Sequence, residues 1–78
     1  MPRYYFHVSA PGREQFRDPE GQEFDDLTAA YDEAIASARS LMTGLRLIGK
    51  TADGHSFEIA DVEGKVVLVV PFKSALPD

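Results

Sequence analysis

Two histidines, His7 and His55, are the side chains of this 78-residue sequence best suited to proton transfer or metal binding, and no cysteine accompanies them. Either role needs partners that converge on the imidazole. Glu58 and Asp61 lie close to His55 in the sequence. On a strand, however, His55 and Asp61 point the same way about 20 Å apart, and Glu58 points to the opposite face. No HxH or HExxH spacing occurs, so both residues read as ordinary strand histidines. The acids Asp18, Glu20, Glu23, Asp25 and Asp26 crowd the stretch DPEGQEFDD. That stretch lacks the ladder of oxygen ligands ending in a bidentate Glu that a calcium loop requires. Turn formation and helix capping account for these acids. The serines sit in no nucleophile elbow, and no GxGxxG or GxxxxGK[ST] loop is present to cradle a phosphate. We therefore expect no catalytic, metal or cofactor-binding residues, and a protein that is not an enzyme. A small enzyme or ligand carrier using His7 or His55 with Tyr4 or Tyr5 is the weaker option, because a domain this size offers little concave volume.

The elements that carry these residues follow from periodicity. In Arg3 to Val8 the residues Tyr4, Phe6 and Val8 point one way, and Tyr5 and His7 the other. Ser9 to Arg13 has the composition of a turn, and Glu14 to Arg17 returns as a short strand. A five-residue loop would place Val8 opposite Glu14, Phe6 opposite Phe16, His7 opposite Gln15 and Arg17 opposite Tyr5. Asp18-Pro19-Glu20-Gly21 has the residues of a type I turn, and Gln22 to Phe24 adds a few extended residues.

Asp25-Asp26 supplies an acidic N-cap, after which apolar residues from Leu27 to Ile48 keep the three-and-four spacing of one helical stripe. Gly44 weakens the last turns, and Gly49 is the stop signal. His55 to Asp61 alternates with Phe57 and Ile59 on one face. Glu63-Gly64 connects it to Val66–Phe72, which pairs Ile59 with Leu68 and Phe57 with Val70. If that last strand is central, Val67 and Val69 are buried too, and Pro71 ends the pairing. The layout is an α+β domain of β-hairpin, one long helix and β-hairpin (ββαββ), with the helix on one face of a four-stranded antiparallel sheet. The domain spans residues 1–73, and residues 74–78 form a flexible tail.

One helix covers one face only. The covered face takes Tyr4, Phe6, Val8, Phe16, Phe57, Ile59, Val66, Leu68 and Val70. The other presents Tyr5, His7, Val67 and Val69, with Ala60, and is more apolar than a wet surface requires. These four residues form the candidate interface, with a second copy of the chain or another protein as partner. The alternative is that Tyr5 and His7 lie under loops or under Arg17.

Composition points the same way. With 44% hydrophobic and 27% charged residues the chain makes one small core, which buries only about 60% of the unfolded surface. Without disulfides or thiolate metal sites, association is the remaining supplement to stability. The net charge of −5, with its scattered bases, argues against nucleic acid as the main partner. No apolar run is long enough to span a bilayer and no secretory signal opens the chain, so a cytoplasmic protein is expected.

PRYYFHV at the start, DPEGQEFDDLTAAYDEAIASAR in the middle and IADVEGKVVLVVPF near the end together resemble a family of small bacterial proteins common in rhizobia and related alphaproteobacteria, the DUF6894 type. The resemblance covers nearly the whole chain in order. SAPGREQFR departs from it, in that the family tends to be more acidic there. The family has no assigned activity, so the resemblance implies no catalytic residues. A hairpin followed by DDLTAAYDEAIASA is also similar in arrangement to antitoxin domains of the HicB type, without the DNA-binding segment that many of them append. Two functions follow as expectations: a self-associating, non-enzymatic interaction module, or an antitoxin-like regulatory domain that masks a basic protein partner.

Overall fold

The computed structural model describes residues 1–50 and 53–76. Its elements are β1 (Arg3–Ala10), β2 (Arg13–Phe16), β3 (Gln22–Glu23), α1 (Leu27–Leu47), β4 (Ser56–Ala60), β5 (Val66–Pro71) and a 3₁₀ helix (Phe72–Ala75). The fold is α+β. One antiparallel sheet has the order β2-β1-β4-β5, and β3 pairs with the start of β1.

The helix begins where its cap says it should. The Asp26 carboxylate accepts the N–H of Ala29 at 2.8 Å, satisfying one of the backbone donors that a helix start leaves free. At the other end the Gly49 N–H donates to the Arg46 carbonyl and the Lys50 N–H to the Leu45 carbonyl. With Gly49 at a φ of 75°, this is a Schellman stop. Gly44 does not end the helix early. It lies on the exposed side with open space around its Cα.

The pairing of β4 with β5 is the expected one, Ile59 with Leu68 and Phe57 with Val70. Two features of this hairpin differ. β5 is an edge strand, not a central one, so Val67 and Val69 stay exposed at 37% and 53%. A bulge between Ile59 and Ala60 also makes Val66 the partner of Ala60. Val66 therefore leaves the helix-covered face, and it is exposed as well.

The first hairpin departs further from expectation. Pro11-Gly12 alone connects β1 to β2, with Gly12 at a φ of 80°, as the third position of a type II turn requires. Ser9 then pairs with Glu14, and a bulge brings Val8 opposite Phe16. The five-residue loop and the pairs Val8–Glu14, Phe6–Phe16, His7–Gln15 and Arg17–Tyr5 do not form. The composition of residues 9–13 suits both turns, and only the positive φ of Gly12 selects the shorter one.

The core is made by Ala34 and Ala38 of α1, Phe57 and Ile59 of β4, Val70 of β5, and Phe72 and Ala75 of the 3₁₀ helix. Tyr4, Phe6, Val8 and Leu68 pack on it. The expected boundary at residue 73 falls within the 3₁₀ helix. Ala75 is fully buried and its carbonyl accepts the Arg39 Nε–H at 3.4 Å, so residues 74 and 75 belong to the packed body. Pro77 and Asp78 of the expected tail lie outside the described residues.

Candidate interaction surface

Four strands at about 4.8 Å spacing make a sheet roughly 19 Å wide. A helix with its side chains is about 10 Å across. One helix therefore covers about half of one sheet face. The contact residues of α1 sharpen this limit, because Ala30, Ala34 and Ala38 are its buried positions, and their small side chains let the helix sit low over one part of the sheet. It approaches β5 and the 3₁₀ helix. The β1–β2 half of the same face is left open.

That half is an open groove of about 830 Å³ between α1 and β2. Its floor is apolar, with Phe6, Val8, Phe57 and Phe72, and its walls include Phe16 on one side and Ser37, Leu41 and Leu45 on the other. Phe16 is 55% exposed and Leu41 47%. Phe16 shares the helix-side face, as expected, but it is not covered. Glu33 and Asp18 line the same groove, and His55 also lies on it.

The opposite face of the sheet is partly closed by the chain itself. Residues 17–21 stand beside residues 5–7 of β1, in the gap between β2 and β3. Asp18 joins this segment to the strand. Its Oδ2 accepts the Phe6 N–H at 3.1 Å, and its Oδ1 accepts the N–H groups of Glu20 and Gly21. Its own N–H donates to His7 Nδ1 at 3.0 Å, so the imidazole proton is assigned to Nε2. Partial burial alone would raise the pKa of Asp18. The N–H groups of Gly21, Phe6 and Glu20 together outweigh it and hold the carboxyl below its ordinary value.

Among the four residues of the expected interface, His7 is thus buried at 7% exposure, and its ring stacks on Tyr5. Tyr5 is half-buried, with Gly21 so near that a methyl group there would lie 2.9 Å from its ring. These two rings sit under a loop. Val67 and Val69 remain on the open face at the β5 edge, beside the half-buried Glu58, which pairs in register with both His7 and Val69.

Among the described residues, the structure brings no histidine constellation together. Tyr4 lies on the helix side, 6.3 Å from Phe24 by ring centroid, on the face opposite His7. His55 Nδ1 is 3.3 Å from the Asp53 carbonyl oxygen, and its ring packs 5.9 Å from that of Phe72. Among the described residues no group of three or more His, Cys, Asp or Glu side chains is placed to hold a metal ion. No helix among them is long and apolar enough to cross a membrane. The groove is the surface that periodicity missed. Its signal was the width of a four-stranded sheet set against a single helix.

No curated protein and no solved structure matches the chain. The family described as Domain of unknown function (DUF6894) matches residues 3–73, which is nearly every residue of the body described above, so the chain belongs to the DUF6894 family.

Proposed function

We propose that this chain is a non-enzymatic protein-interaction module that self-associates through the part of its sheet α1 leaves uncovered. One observation carries the reading: an aromatic-floored groove beside α1 stays open on a domain in which, among the described residues, the largest fully buried side chains are Ile59 and Val70. So thin a core gains from a partner that covers Phe16 and Leu41, since each fully buried large apolar side chain contributes about 1.5–3 kcal/mol. Both histidines are engaged in ways that suit structure, His7 through Asp18 and His55 against Phe72.

Sedimentation velocity over a wide concentration range tests this. The wild type should pass from monomer to a larger species, and Phe16→Ser should remain monomeric and folded. Val69→Glu, on the other face, reports whether the β5 edge contributes. A wild type that stays monomeric at the highest concentration contradicts the reading.

A second reading rests on the acids at the groove. Glu33 and Asp18 line it, which suits a basic amphipathic helix of another protein, as an antitoxin-like masking domain would bind. A cationic amphipathic peptide should then compete for the groove in a salt-dependent manner while its anionic counterpart does not. Equal binding of the two removes this reading.

A further inference from the structure

The two edges of the sheet are unlike. β2, at one edge, is Arg13-Glu14-Gln15-Phe16, and its charged side chains blunt pairing with another chain. β5, at the other, carries Val66-Val67-Leu68-Val69-Val70. Its guards stand only at the ends, Lys65 before it and Pro71 at its close. Val66, Val67 and Val69 are exposed. The backbone of this edge is open as well. The Phe72 N–H donates to the His55 carbonyl and continues the register that pairs Phe57 with Val70 and Ile59 with Leu68. Leu68 and Val70 therefore turn their backbone groups to β4, while the Val69 N–H and the carbonyls of Val67 and Val69 turn outward.

β5 is also self-complementary, because its five apolar residues read the same in both directions about Leu68. We infer that β5 pairs antiparallel with β5 of a second copy of this chain, about a twofold axis that passes through the sheet at Leu68. An axis perpendicular to the sheet reverses the strand direction, keeps both helices on one side and joins the two sheets into one. It sets Leu68 against its own copy, Val67 against Val69 and Val66 against Val70, so that each Val69 N–H meets a Val67 carbonyl. It also brings the Lys73 end of each strand to the turn of the other, where Asp61 and Glu63 outnumber Lys65. Base thus meets acid twice, as an isologous contact requires. A slip by two residues would set Pro71, which has no N–H to give, against Val67.

One five-residue strand against another is a narrow contact, short of the roughly 1,000 Å² that a stable interface needs. It therefore joins copies that the groove has already gathered. The inference rests on the self-association proposed above and adds a second contact to it. Val69→Lys places a charge on the edge and leaves the groove untouched. At high concentration the wild type should form a species larger than the groove-held one, and Val69→Lys should stop at the groove-held species. The chain has no cysteine, so a single cysteine reports proximity cleanly. Leu68→Cys should give roughly tenfold more disulfide-linked dimer on mild oxidation than Val62→Cys, which is exposed in the turn and far from the axis, since facing residues of a non-hydrogen-bonded pair lie about 4.5 Å apart at Cα. A wild type that does not associate removes both this inference and the reading beneath it. A wild type that associates, but in which Val69→Lys changes nothing or Leu68→Cys links no faster than Val62→Cys, overturns the edge contact and leaves the groove reading standing.

Discussion

The backbone N–H of Asp18 donates to Nδ1 of His7 at 3.0 Å, on the side of β1 away from β4, where neither β2 nor β3 pairs with the middle of the strand. Asp18 also accepts the Phe6 N–H. One residue thus takes the place of a missing piece of ladder, while its other carboxylate oxygen closes the turn at Glu20 and Gly21. This relation puts Tyr5 and His7 under cover and leaves Val67 and Val69 as the exposed part of that face.

Replacing Asp18 should therefore be costly for a half-buried turn residue. Asp18→Ala removes three accepted hydrogen bonds, two of them within its own turn, and leaves the Phe6 N–H without its partner. A hydrogen bond to a charged group contributes about 1.5–3 kcal/mol net of exchange with water, and because the two turn N–H groups regain water when the carboxylate is removed, a loss of about 2–3 kcal/mol is expected. Urea unfolding at neutral pH measures it. A loss below about 0.5 kcal/mol, the range of ordinary surface substitutions, would show that the segment is held by something else.

The same carboxylate fixes a pH dependence. Its folded pKa lies below the ordinary value, so the folded state favours the ionised form. The stabilisation is fully present above the unfolded pKa of about 3.9 and is lost as the pH falls through the lower folded value. The stability difference between wild type and Asp18→Asn should be constant from pH 7 down to about pH 5 and shrink below about pH 4. A difference that instead grew on acidification would contradict the assigned direction.

Two glycines should respond in opposite directions to alanine. At Gly21 the φ is +68°, and a Cβ would lie 2.8 Å from the Tyr4 carbonyl oxygen. Gly21→Ala should cost about 2 kcal/mol or more. Gly44 is helical with nothing near its Cα, and Gly44→Ala should stabilise by about 0.5–1 kcal/mol. Thermal and urea midpoints read both. A destabilising Gly44→Ala would contradict the open space around Gly44.

Phe16 separates folding from association. It is more than half exposed, so Phe16→Ser should change the stability of the dilute monomer by no more than about 0.5 kcal/mol. The same change should reduce association at high concentration. A substantial loss of monomer stability would mean that the ring closes the core within one copy.

Much of the architecture is legible in residue types. The acidic cap at Asp26, the stripe from Leu27 and the stop at Gly49 mark the helix, and the alternation around Ile59 and Leu68 sets the second hairpin. The first hairpin is not legible in the same way. Its register turns on a two-residue connection at Pro11-Gly12 and on the tie from Asp18 to His7 and Phe6, and neither leaves a period in the sequence. The interface residues divide on the same grounds. Alternation places Tyr5, His7, Val67 and Val69 on one face, but it cannot report that residues 18–21 fold over the first two. The groove was hidden because Phe16, an apolar residue on the helix side, is readily counted as covered. Only the lateral position of α1, set by three alanines, leaves it bare.

Amide exchange and backbone NMR shifts, followed from dilute to concentrated protein, test the central proposal most directly. The account predicts that concentration-dependent shifts gather on Phe16 and on the helix flank from Glu33 to Gly44, with His7 and the 18–21 segment unmoved. Shifts confined to Val67, Val69 and the β5 edge, or none at any concentration, would contradict it.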